Sequence, residues 1–280
     1  MTVSSTRPGP APPAAVPAAT APAAAPTPCT ASYRRIGELF PALRVRCAPP
    51  RSGDGWIPGA ALLTDPDALR ELIAHDARQG LAQYGRPLRP DVAAGFGLHR
   101  YCWSTALLFT LPWFLERRVP LLSPEAVSVR RRTGELTVLP DAFACLPDDP
   151  AAGLPGARAV PDEAGLEARL RAALTGYLTP VLAAFRPEVR RGTRTLWAMA
   201  TDAAVEGLWY VAGLLGEEDR ARAELSALFA PDCAPLTPGA GFTLDTPDAS
   251  GTGRARASCC LVYTVRPETM CGGCPRVTRG

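Results

Sequence analysis

Four cysteines near the C-terminal end, Cys259, Cys260, Cys271 and Cys274, form a spaced set: a vicinal pair, ten residues, one cysteine, two residues, one cysteine. Thiolates are soft donors, and a four-sulfur set suits zinc or an iron–sulfur cluster. Zinc sites usually draw both pairs from Cys-x2–4-Cys turns. A vicinal pair departs from that pattern, because adjacent side chains on extended backbone point to opposite faces. A two-iron cluster is a wider target than one zinc ion and accommodates such a pair better. Gly272-Gly273 separates the last two cysteines. Glycine there permits positive φ and lets backbone amides approach the sulfurs. Pro275 follows the last cysteine, as in one common cluster-binding run. From residue 251 onward Arg254, Arg256, Arg266, Arg276 and Arg279 face a single acid, Glu268. That excess offsets the negative charge of thiolate-held iron.

The other cysteines, Cys29, Cys47, Cys102, Cys145 and Cys233, have no such spacing and read as small buried hydrophobes. The N-terminal stretch has no apolar run behind a charged start, so no secretory signal and no disulfide framework are expected. The expected location is cytoplasmic.

The stretch Arg256-Ala-Ser-Cys-Cys-Leu-Val-Tyr263, with Cys271-Gly-Gly-Cys-Pro275, resembles the C-terminal signature of the FhuF-like ferric-siderophore reductases. That family holds a [2Fe–2S] cluster through a Cys-Cys-x10-Cys-x2-Cys pattern. The resemblance implies that Cys259, Cys260, Cys271 and Cys274 are the cluster ligands. Weaker similarity lies upstream, at His99-Arg100-Tyr101-Cys102-Trp103-Ser104 and Arg194-Thr195-Leu196-Trp197. Thr264-Val265-Arg266 departs from relatives that place an arginine directly after the tyrosine. The implied activity is one-electron reduction of a ferric siderophore, a hydroxamate or related chelate, with release of Fe(II). His99, Arg100 and Trp103 are the candidate substrate contacts, since aromatic and guanidinium groups suit a bulky oxygen-shelled chelate. No Gly-rich dinucleotide loop follows a strand and opens a helix. The electron therefore comes from an external donor, and the arginine-rich C-terminus favours an acidic ferredoxin. Two other readings remain open: an iron–sulfur sensor without turnover, and a zinc-stapled binding protein.

Composition sets the frame for these residues. Hydrophobic residues make up 47% of the 280, enough for a sizeable core. A net charge of +3 is too small to mark a nucleic-acid binder. The longest apolar run, Tyr101 to Leu115, falls short of the roughly 20 residues a bilayer-spanning helix needs, so no integral membrane segment is expected. Residues 1–30 are dominated by alanine and proline and read as a disordered tail. Residues 31–250 read as the siderophore-binding reductase domain and 251–280 as the cluster segment.

The expected fold class is α+β and helix-rich, with a few short strands. Asp65-Pro66 opens a helix with Leu69, Leu72, Ile73, Ala77, Leu81 and Tyr84 on one face. Pro90-Asp91 opens the next, which should stop near Pro112. Ala126–Arg130 and Glu135–Leu139 flank Arg-Thr-Gly134 and predict a hairpin, with Arg130-Arg131-Arg132 most simply a solvated tip and, as the sharper alternative, a rim patch for a negatively charged partner. Residues 148–161 read as loop. Asp162 caps a helix to Ala184, and Arg194 to Leu215 is a strongly apolar helix stopped by Gly216. Glu217 to Ala230 is a shorter amphipathic helix. His75 falls off the apolar face of its helix, a solvated position, and Trp197 and Trp209 read as core.

Overall fold

The computed structural model describes residues 27–242, 253–268, 271 and 273–276. It is α+β and helix-rich. The elements run α1 (Thr30–Leu39), β1 (Arg44–Cys47), β2 (Ile57–Pro58), α2 (Gly59–Thr64), α3 (Pro66–Tyr84), α4 (Pro90–Glu116), β3 (Arg118–Leu121), β4 (Val127–Arg130), β5 (Glu135–Val138), β6 (Ala142–Cys145), β7 (Ala157–Ala159), α5 (Glu163–Val189), α6 (Thr193–Leu215) and α7 (Glu218–Leu228). Among the described residues, no helix is long and apolar enough to cross a membrane.

Helix α4 is the central element. Its residues from Ser104 to Phe114 are buried without a break, and it packs against α1, α3, α5, α6 and β3. A helix apolar all round belongs inside a bundle. Its length corrects the expected stop at Pro112. Proline removes the N–H that would bond the carbonyl four residues back, Leu108. Tyr33, buried on α1, donates its hydroxyl to that carbonyl at 2.9 Å. The long-range hydroxyl replaces the missing local donor, so the helix continues to Glu116.

Two small sheets flank the helices. One has the order β1-β5-β4-β2, the other β3-β6-β7. The expected hairpin is β4–β5, antiparallel, with Ser128 opposite Thr137. Their hydroxyls lie 2.6 Å apart in the core and satisfy each other. Strand β1 adds in parallel to β5. Strand β7 adds to β6 within the stretch expected to be loop.

Helix starts match their capping chemistry. Asp65 accepts the Asp67 amide and Asp162 accepts the Gly165 amide. Helix α5 runs past Ala184 to Val189, because Phe185 and Val189 are buried and extend its apolar face. On α3 the buried positions are Leu69, Leu72, Asp76 and Gly80, while Leu81 is half exposed.

Residues 1–26 of the expected tail lie outside the described residues. Residues 27–30, assigned to that tail, are packed instead: Cys29 is buried, the Pro28 carbonyl accepts Arg118 Nη1 at 2.7 Å, and α1 begins at Thr30.

Candidate metal centre

The C-terminal segment has little regular structure and is held against α4 and α6 by polar contacts. Its anchor is Asp202 of α6, 1% exposed. One carboxylate oxygen accepts Arg254 Nη2 at 2.6 Å and the Ala257 amide at 3.0 Å. The other accepts the Ser258 amide at 2.8 Å and the Ser258 hydroxyl at 2.5 Å. Arg254 is buried as well. It donates Nε to the Ala240 carbonyl and Nη1 to Glu206, both at 2.8 Å. A buried charge persists only when paired and hydrogen-bonded, and here each partner satisfies the other.

Two glycines complete the clamp. The Ala255 amide donates to the Gly241 carbonyl and the Arg256 amide to the Gly273 carbonyl. Both glycines have positive φ, and a Cβ on Gly273 would run into the Arg254 carbonyl oxygen. The close approach expected at this glycine is therefore made to the chain itself. Gly272 lies outside the described residues.

On this scaffold Cys259 and Cys260 line different cavities. Cys260 Sγ lies 3.2 Å from Cys271 Sγ, and both thiols are free. Together they face a cleft of about 170 Å³, with His99, Arg100 and Arg256 also in its wall. Cys259 faces a larger cavity of about 770 Å³ with Arg194, Thr195, Thr237 and Arg276. Cys274 is buried. Leu261, in the left-handed region at φ 63°, turns the chain after the pair into a short 3-10 turn, Val262–Thr264. Val265 then plugs into an apolar cluster with Leu88, Val92, Ala93 and Phe96 and fixes the loop to the start of α4.

Among the described residues, no three His, Cys, Asp or Glu side chains gather around one metal-ion position. The donor set does fit a thiolate-held cluster: four free thiols, two of them in contact, beside the guanidinium of Arg256.

The electrostatics follow from these contacts. Contact with Cys271 pulls the Cys260 thiol down to about 6, helped by Arg256, while the same contact pushes Cys271 up. Burial, with Arg256 and Arg100 alongside, pushes His99 down to about 3. A neutral His99 accepts Arg256 Nη2 at Nδ1, 3.4 Å, and donates Nε2–H to Glu206 at 3.3 Å. Burial raises Glu206 despite its arginine neighbours.

The candidate substrate residues divide. His99 and Arg100 stand at the sulfur cleft, and Arg100 donates to buried Asp76 at 2.5 Å. Trp103 lines a separate apolar groove with Phe40, Trp209 and Tyr210. Trp197 is core, whereas Trp209 is part-exposed and donates its ring N–H to Glu218. Of the arginine excess, Arg254 and Arg256 are matched by Asp202 and Glu206. Arg266 stacks over Tyr84 and Arg276 over Tyr263. Arg279 lies outside the described residues.

The sequence reading missed Asp202 and Glu206. Their signal was present: two carboxylates four residues apart, hence on one face, inside the apolar helix expected from Arg194 to Leu215.

Residues 256–276 match the family model of the FhuF 2Fe-2S C-terminal domain. This places a [2Fe–2S] cluster in the segment just described and bears out the FhuF-like resemblance. No curated protein matches the chain.

Proposed function

We propose that the protein is a ferric-siderophore reductase. The observation that carries the reading is the FhuF 2Fe-2S match over residues 256–276, in a segment whose Cys259 opens onto a cavity of about 770 Å³. That volume lies within the range of about 300–1,000 Å³ typical of small-molecule sites, and the 170 Å³ cleft beside Cys260 falls below it. The chelate therefore binds on the Cys259 side.

Cys259, Cys260, Cys271 and Cys274 are the proposed ligands of the cluster, which when bound supplies one electron. Arg194 and Arg276 offer guanidinium donors and Thr195 and Thr237 hydroxyls to the oxygen shell of the chelate. The accepted electron converts Fe(III) to Fe(II). Hard hydroxamate or catecholate oxygens hold Fe(II) far more weakly, so the metal becomes exchangeable. The chemistry needs no general base. His99 and Arg256 keep a hydrogen-bonded wall beside Cys260 and Cys271. On that side, exposed Arg266 is the proposed docking point for an acidic ferredoxin.

The test is anaerobic reduction of the purified protein, then addition of a panel of ferric siderophores while cluster absorbance and chelator-trapped Fe(II) are followed. Reoxidation with one Fe(II) per electron is expected. A reduced cluster that no ferric chelate reoxidises would sink the reductase reading and favour a sensor. A colourless protein carrying zinc would favour the stapled binding protein.

A further inference from the structure

The hairpin tip is only partly the solvated turn its sequence suggests: Arg132 is exposed, while Arg130 and Arg131 are part-buried. Arg130, Arg131 and Arg132 form one wall of a cavity of about 540 Å³, with Arg51 and Arg78 on the others. Five guanidiniums face two lining carboxylates, Asp54 and Glu71. Like charges this close repel, and the arrangement has few internal partners. Arg131 Nη2 is held by Asp76 at 2.9 Å, and Arg130 Nη1 is 3.6 Å from Glu135. Arg51, Arg78 and Arg132 make no ion pair among the described residues. Arg51 and Arg130 rest over the ring of Trp56, which is nearly buried.

His75 is part-buried at the cavity wall, not on a solvated face. Arg130 Nε, Arg131 Nε, His75 Nε2 and Asp76 Oδ2 are buried without a hydrogen-bond partner, so they do not open into the cavity. An oxyanion seated there offsets the excess of five guanidiniums over two lining carboxylates.

We propose that this cavity binds a compact polyanion bearing two or more phosphate or carboxylate groups. Guanidinium forks match both kinds of oxyanion. A single phosphate cannot reach five guanidiniums spread around 540 Å³. The site is distinct from the metal centre, since no residue of its wall lines either cavity at the cysteines. One buried group joins the two regions: Asp76 Oδ1 accepts both Arg131 from this cavity and Arg100 from the sulfur cleft. The proposal does not depend on the reductase reading.

Isothermal titration of the cluster-loaded protein with tripolyphosphate and with citrate tests it. Saturable one-to-one binding of at least one of them is expected. A preference for tripolyphosphate assigns the site to phosphate-bearing ligands, and a preference for citrate to carboxylates. Arg78→Glu and Arg132→Glu alter exposed side chains without carboxylate partners, so the fold should survive both. Each should weaken binding about tenfold or more. Arg169→Glu, exposed and outside the cavity, should leave it unchanged. Absence of saturable binding, or equal weakening by all three variants, would overturn the proposal.

Discussion

The helical body and the C-terminal segment are held together by opposite means. Around α4, cohesion is apolar: Leu107, Leu108, Phe109, Leu111, Trp113 and Phe114 are all buried, and burial of that kind is non-directional and tolerant of repacking. Among the described residues, the segment from Gly253 to Arg276 contributes few buried hydrophobics, chiefly Val265 and Cys274. Its placement rests on the directional bonds of two carboxylates, Asp202 above all and Glu206 beside it, and on backbone approaches at Gly241 and Gly273. The body thus supplies stability, while the segment is positioned by charge and hydrogen bonds. Directional bonds suit a metal centre, whose donors must stand at fixed places, better than a greasy contact that can slide.

This contrast can be broken most directly at the sulfurs. Serine at Cys259, Cys260, Cys271 or Cys274 should remove or strongly deplete the cluster, because a thiolate donor is lost. Cys102→Ser and Cys233→Ser, in the body, should keep full iron and sulfide content despite altering buried positions. Full occupancy in any of the first four would remove that residue from the proposed ligand set.

A second test strikes the anchor. Asp202→Ala leaves buried Arg254 without its main partner, a loss of the order of 3–5 kcal/mol. Because the segment is a peripheral unit, the loss should appear as local detachment. Limited proteolysis should cut the segment sooner and iron content should fall, while the helical melting transition moves little. Unchanged protease resistance with full iron would mean that apolar contacts at Val265 suffice.

The smallest effect is expected in the body. Tyr33→Phe removes the hydroxyl that the Leu108 carbonyl uses in place of the N–H absent at Pro112. An unsatisfied buried acceptor costs about 1–3 kcal/mol. Thermal unfolding should shift down with the cluster content intact. A cluster lost on this substitution would show that the two regions are not independently held.

What the sequence made legible follows the same division. Local chemistry announced the caps at Asp65 and Asp162, the stop at Gly216, the β4–β5 hairpin and the cysteine spacing, because each is decided within a few residues. The continuation of α4 past Pro112 was not legible, since its compensating donor lies 75 residues away in sequence. Nor was the parallel pairing of β1 with β5, or the part-burial of His75 at the wall of an arginine-lined cavity. The anchoring role of Asp202 and Glu206 was not legible either, since their partners, Arg254 and Arg256, arrive from the far end of the chain.

That Cys259 and Cys260 line different cavities carries a kinetic consequence for the proposed reaction. Cys259 faces a broad cavity and Cys260 a narrow cleft, so a cluster shared between them has two doors. A protein carrier delivering its electron at the cleft does not block the cavity in which the chelate waits. If the proposed reading holds, both reactants could be bound at once, and turnover would take a sequential form instead of a ping-pong exchange. Cys259 and Cys260 would then hold the cluster between the two sites, where it would supply its electron without either partner having to leave first.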